Sequence, residues 1–186
     1  MKKTTILAMA VGLFVSAMSF TSCDKNNDNT MTVKPTLYDS LGGTTMVADP
    51  RNSGVMIEKG RLGIRSVVDS TIFVIAADSK LNSYFQPLLA EVTAGNTSGL
   101  TALSKSLTDF FCVATGAKNF TYGGKNMVAA HDPAQNPRMN GKSDNAAFDQ
   151  FIADLVVGAN QNKLPANLIN SVGALVNTLR SQVVQR

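Results

Sequence analysis

Apolar residues in the body of this chain recur at helical spacing almost everywhere, and that period restricts the fold before anything else does. Ile64, Val67, Val68, Thr71, Ile72 and Ile75 fall at i, i+3, i+4, i+7, i+8 and i+11, one continuous face of a helix. Leu100, Leu103, Leu107, Phe110, Phe111 and Ala114 repeat the pattern. So do Phe148, Phe151, Ile152, Leu155 and Val156, entered through Ser143-Asp144, either of which can cap a helix start. A last helix has Pro165 in its first turn, where a missing N–H costs nothing, and runs through Leu168, Val172, Leu175, Val176, Leu179 and Val183. No sustained period-two run bounded by turn residues accompanies them. The expectation is an all-α domain of about five to seven helices, the last two pairing as antiparallel neighbours.

Breakers separate the helices: Gly42-Gly43, the polar stretch 96–99, Gly116, Gly123-Gly124 and the loop 132–142. Residues 44–61 fit the helical pattern least. Their length points to an ordered insertion or a mobile flap, built as an irregular loop or a small ribbon.

The N-terminus has its own character. Lys2 and Lys3 precede an apolar run from Ile6 to about Phe20, a signal-peptide length and short of the about 20 residues a membrane span needs. Phe20-Thr21-Ser22-Cys23 then resembles a bacterial lipobox, which implies lipidation of Cys23. Residues 1–22 are therefore expected to be a lipoprotein signal peptide and 23–36 a flexible polar tether, leaving 37–186 as the domain. The resemblance implies an extracytoplasmic lipoprotein held to a membrane through its lipid, on the periplasmic face or at the outer membrane.

With Cys23 lipidated, Cys112 has no intrachain partner, so packing must hold the fold. Removing Lys2 and Lys3 with the leader lowers the formal charge from +4 to +2, too small and too scattered an excess for nucleic acid. No zinc-type cysteine spacing, P-loop or Gly-x-Gly-x-x-Gly occurs, and no catalytic constellation stands apart from the one histidine. That residue, His131, ends a short helical stretch four residues after Met127. A lone histidine at a helix C-terminus is either a surface side chain favoured by the dipole or a metal ligand.

An ordered set of these segments is similar to the truncated haemoglobins, specifically the group I type. It comprises Leu37-Tyr38-Asp39-Ser40-Leu41-Gly42-Gly43, Val67-Val68-Asp69, the run from Ala77 to Phe85, Phe110-Phe111, Tyr122-Gly123-Gly124, Met127 to His131, Phe148-Asp149, and Leu164 to Val184. The resemblance implies a globin-like, two-over-two helical sandwich around a non-covalent haem b, with His131 as the proximal iron ligand. It places Phe85 and Met127 against the porphyrin, Phe148 and Phe151 on the proximal side, and Leu103, Leu107 and Phe111 on the distal side. Each of these is equally a core residue by its spacing. Lys105 and Lys125 are solvated surface lysines or partners of the haem propionates.

The distal side departs from the family. The tyrosine that usually donates to the bound gas falls on Ile72, bracketed by Thr71 and Phe73, and its polar partners fall on Leu103 and Leu107. The resemblance therefore implies a binder of a diatomic gas (dioxygen, nitric oxide or carbon monoxide), with a role in redox detoxification and weak retention of dioxygen. Two alternatives stand beside it: a haem-carrier lipoprotein, and a globin-shaped interaction module without haem. An enzyme label depends wholly on the haem. Insertions at 44–61 and 132–142 lengthen the links before the second helix and after His131.

Overall fold

A computed structural model describes residues 34–186; the leader and most of the tether, Cys23 included, lie outside the described residues. Among the described residues the chain forms α1 (Leu37–Ser40), β1 (Met46–Ala48), β2 (Met56–Glu58), α2 (Lys59–Ala77), a 3-10 turn (Asn82–Phe85), α3 (Gln86–Thr93), α4 (Ser98–Ala114), α5 (Met127–His131), α6 (Asn145–Gln161), α7 (Ala166–Asn177) and α8 (Arg180–Val183). Eight α-helices exceed the expected five to seven because three of them are one turn or little more. Two helix pairs, α2 with α4 and α6 with α7, meet chiefly where α2 crosses α6. The all-α expectation holds.

Each long helix follows its apolar face. On α2, Ile64, Val68, Thr71, Ile72 and Ile75 are buried, with Gly60 at the N-terminal end. Asp144 supplies the α6 cap, its carboxylate accepting the Ala147 amide at 2.8 Å. The contact of α6 with α2 is close because Gly158 has no side chain: a Cβ there would stand 2.4 Å from Thr71 Oγ1 and 2.8 Å from the Thr71 amide nitrogen.

The terminal helix is interrupted, which the spacing does not anticipate. Thr178 turns its hydroxyl onto the Leu175 carbonyl at 2.7 Å, the kind of back-bonding that bends a helix. Beyond the break, Arg180 reaches Asp149 at 2.6 Å and lies over the Phe148 ring, 4.4 Å from its centroid.

Residues 44–61 resolve into an antiparallel ribbon, β1 with β2 in the register Met46–Glu58, Val47–Ile57, Ala48–Met56, followed by the first turn of α2. The insertion thus ends at Glu58, not at 61. It is pinned down by a two-pronged ion pair, Arg65 Nη2 and Nη1 donating to the Asp49 carboxylate at 2.6 and 3.1 Å. The arginine beside Asp49, together with the Arg51 amide and Asn52, holds that carboxyl well below the usual range. Gly42 permits the turn before the ribbon: its φ is +127°, and a Cβ would meet the Gly60 nitrogen at 2.9 Å.

Under the ribbon, Tyr38 is buried and donates its hydroxyl to Glu58 Oε2 at 2.7 Å, while Asn119 donates to Oε1 at 2.7 Å. Burial and the adjacent Glu58 carboxylate push the Tyr38 hydroxyl far above its ordinary pKa. Next to it, Arg61 spans Asp109 (2.6 Å) and Cys112 Sγ (3.8 Å). Cys112 is free and fully buried, and burial pushes its thiol up to about 11, so it is an inert packing residue.

Candidate functional site

The helix α4 presents two unlike faces. Ser104, Thr108, Asp109 and Cys112 are buried; toward α2, Ser104 bonds Asp69 at 2.6 Å and Asp109 pairs with Arg61. Its regular apolar stripe does not go there. Leu100, Leu103, Leu107 and Phe110 are only half-buried, because they face a cavity of about 550 Å³. That volume lies in the range of small-molecule and cofactor pockets.

The cavity collects every residue that the resemblance assigned to a haem site. Ile72 comes from α2, Phe85 from the 3-10 turn, and Leu103, Leu107 and Phe111 from α4. Met127 and His131 come from α5, and Phe148 and Phe151 from α6. Helical rotation explains the choice of Ile72 among its neighbours. Thr71 is buried toward α6, its hydroxyl donating to the Val67 carbonyl at 2.8 Å, and Phe73 is 67% exposed at the rim.

His131 is held in one tautomer. Its Nδ1 lies 2.8 Å from the Met127 carbonyl oxygen. A carbonyl can only accept, so Nδ1 carries the proton and Nε2 keeps a lone pair. Nε2 has no hydrogen-bond partner among the described residues. Burial lowers the imidazole pKa from its ordinary value, and the bond to Met127 opposes that shift in part. The ring is therefore neutral near pH 7, the state a metal requires of it.

The sign of the linkage follows. An unfolded chain takes up this proton near pH 6.5, before the folded chain does. Stability from this residue is complete above about 6.5 and is lost as pH falls from there toward the lower folded pKa. Urea unfolding followed from pH 7.5 to 5 is expected to show this loss in the native protein and not in His131→Gln. Parallel curves would remove the buried-imidazole description.

The two lysines separate. Lys105 pairs with Asp109 at 2.6 Å, one turn along α4, and is not part of the cavity. Lys125 borders it.

Several lining residues carried no sequence signal for the site. Tyr122 packs edge-on against Phe110, ring centroids 5.6 Å apart, and donates its hydroxyl to the Lys125 carbonyl at 2.6 Å. Its Tyr-Gly-Gly setting marks a turn and says nothing of which way the ring points. Met139, buried in the cavity wall, comes from the loop 132–142, where no period exists to place it. Val176, Leu179 and Val183, on the apolar face that the spacing marks in the last helix, complete the wall.

On the side of Ile72, Leu103 and Leu107 the wall is hydrocarbon. Tyr38 donates its hydroxyl to Glu58, and the Tyr84 oxygen accepts from Arg186 at 2.9 Å. The side chains of Ile72, Leu103 and Leu107 themselves carry no polar hydrogen.

No helix among the described residues is long and apolar enough to cross a membrane. No family model matches the chain, and no curated protein matches its sequence. Solved structures do match. A truncated haemoglobin from Tetrahymena pyriformis in its Fe(III) form is 22% identical, with a TM-score of 0.57 over 82% of this chain and 100% of that one. The 2/2 haemoglobin from Synechococcus sp. PCC 7002, in the cyanomet state and with covalently attached haem, is 21% identical, with a TM-score of 0.55 over 82% and 100%. The chain has the fold of the truncated haemoglobins.

Proposed function

We propose that this chain is a haem-binding globin of the group I truncated type that takes a diatomic gas, displayed on a lipid-anchored extracytoplasmic protein. The observation that carries the reading is His131: the single histidine of the sequence, its Nδ1 tied to the Met127 carbonyl, in the wall of an apolar cavity of about 550 Å³. A side chain placed only for packing has no need of a fixed tautomer facing a cavity. The Gly42-Gly43 turn supports the group I assignment.

The residues present fit a haem. The leucines and phenylalanines of α4 and the phenylalanines of α6, some buried and some half-buried, offer an apolar slot, and Lys125 at the border offers a cation for carboxylates. Attachment is non-covalent in this reading, because Cys112 is fully buried and does not line the cavity. A bound haem would supply an iron able to take the His131 Nε2 lone pair and to bind a diatomic gas. The chain's own work is to hold the imidazole neutral and oriented, to exclude water with Phe148, Phe151 and Met127, and to leave the facing side without a donor. Titration of the purified protein with haemin tests this: a sharp Soret band at one equivalent is expected, and its absence overturns the proposal.

The hydrocarbon wall has a consequence for gas choice. A hydrogen bond to a partly charged ligand contributes roughly 1.5–3 kcal/mol, or about tenfold to a hundredfold in affinity. Leu107→Gln is expected to raise dioxygen affinity by about tenfold or more and to change carbon monoxide affinity little. Equal dissociation rates in the two proteins would remove the distal argument.

The lipid anchor rests on the apolar run 6–20 and on Thr21-Ser22-Cys23. Labelled palmitate is expected to enter the native protein and to be absent from Cys23→Ser. Equal labelling, or none in either, overturns the anchor without touching the haem reading.

A further inference from the structure

The helix that carries His131 has five residues, too few to hold itself in water. Its N-terminal end is capped by Asn126, whose side-chain oxygen accepts the Ala129 amide at 2.9 Å. Its C-terminal end has no such closure. Asp132 leaves in an extended conformation, with ψ 115°. The last carbonyls of a helix have no partner within it and must find one elsewhere.

Two side-chain amides meet them, one from the loop that follows the helix and one from the far end of the chain. Asn136 Nδ2 donates to the Ala130 carbonyl at 2.7 Å. Gln185 Nε2 donates to the Val128 carbonyl at 2.8 Å. Both donors are themselves fixed. Gln185 gives its own amide to the Ser143 carbonyl at 2.9 Å, and Ser143 returns its hydroxyl to Val183 at 2.6 Å. Asn136 belongs to the loop 132–142, whose far end is tied to the 3-10 turn: the Asn140 amide to the Tyr84 carbonyl at 2.7 Å, and Asn140 Nδ2 to the Ser83 carbonyl at 2.9 Å.

We infer that Asn136 and Gln185 are positioning residues for His131. They clamp α5 from the loop on one side and from the C-terminus on the other, and so fix the height and rotation of the imidazole in the cavity wall. The loop that lengthens the path from His131 to α6 is then a working part of the site. Its effect on an iron ligand rests on the haem reading; its hold on α5 does not.

The test uses Asn136→Asp and Gln185→Glu, which keep size and lose the donor, singly and together. In the haem-free protein, amide hydrogen exchange at residues 129–131 is expected to quicken about tenfold for each single variant and further for the pair, with α2 and α6 unchanged. In the ferrous haem-loaded protein, the iron–histidine stretching band in the resonance Raman spectrum is expected to shift or broaden while the Soret band persists. A residue with only a general structural role lowers the unfolding midpoint and moves neither signal.

Unchanged exchange at 129–131 in the double variant overturns the inference. Faster exchange with an unmoved iron–histidine band also overturns it, since α5 would then be held without setting the ring. If the native protein gives no Soret band, the haem reading fails on its own, and nitrogen-15 shifts of the His131 ring decide the inference. Mixed tautomers in the double variant support it, and the native Nδ1–H tautomer retained overturns it.

Discussion

His131→Ala is expected to abolish the sharp Soret band that haemin produces with the native protein. No second histidine exists to take its place. Altering a hydrogen bond behind a metal ligand typically costs tenfold to a hundredfold in affinity, so removing the ligand itself is expected to cost more than about a hundredfold. What remains is hydrophobic partition of the porphyrin into the cavity, which gives a broad, weak band. The measurement is a haemin titration of both proteins, with circular dichroism to establish that the variant is folded. Free imidazole added to His131→Ala is expected to restore the sharp band, because truncation opens room for it beside Met127. A sharp band in the variant without imidazole would exclude His131 as the ligand and place the iron elsewhere.

Gly158→Val acts on the scaffold. The missing Cβ at this position is what lets α6 lie against α2, with Thr71 Oγ1 only 2.4 Å and the Thr71 backbone nitrogen 2.8 Å from where it would stand. The hydroxyl can rotate; the backbone cannot. Valine adds two methyls beyond that Cβ, so the two helices must separate along their main contact. Overpacking of this kind costs about 1–3 kcal/mol and on occasion more, against a gain of a few tenths from replacing glycine in a helix. For a domain of this size that lowers the unfolding midpoint by roughly 2–10 °C. Because α2 supplies Ile72 and α6 supplies Phe148 and Phe151, haem affinity is expected to fall with it. Calorimetry on the two proteins settles the matter: an unchanged midpoint would mean that the close approach at Gly158 is not a constraint.

The haem carrier and the gas binder share the same pocket, and the haem-free module requires that it be filled by side chains. The half-buried stripe of α4 bears on the last of these. Leu100, Leu103, Leu107 and Phe110 pack against the core along one edge and line the cavity with the other, while the polar side of the same helix is buried on α2. That inversion costs stability in the chain alone and is repaid when an apolar ligand covers the stripe. It favours a site open to an apolar ligand over a core that has closed.

The helical period by itself determined the class of the fold, the existence of α2, α4 and α6, and which face of each is apolar. A 3.6-residue repeat records burial directly, and burial is local to the helix that shows it. The nine residues assigned to a haem site came from the resemblance of the ordered segments, not from the repeat: Phe85 sits on a 3-10 turn, and Met127 and His131 on a five-residue helix too short to show a period. Three things escaped. The ribbon at 46–58 has strands of three residues, too short to show a period. The break after Asn177, where Thr178 bonds back to the Leu175 carbonyl, leaves the apolar spacing of the last helix unchanged and so leaves no mark in it. The direction in which α4 turns its stripe, toward a cavity and not toward α2, depends on which neighbour buries which face.

The hold on His131 belongs wholly to the tertiary structure. Nothing about Asn136 or Gln185 in sequence relates them to a helix five or more residues away, or across half the domain. Hydrogen bonds between a side-chain amide and a distant carbonyl leave no trace in composition or spacing. Sequence placed one imidazole at the end of a short helix, and the packing of a loop and a chain terminus around that helix decided where the imidazole stands.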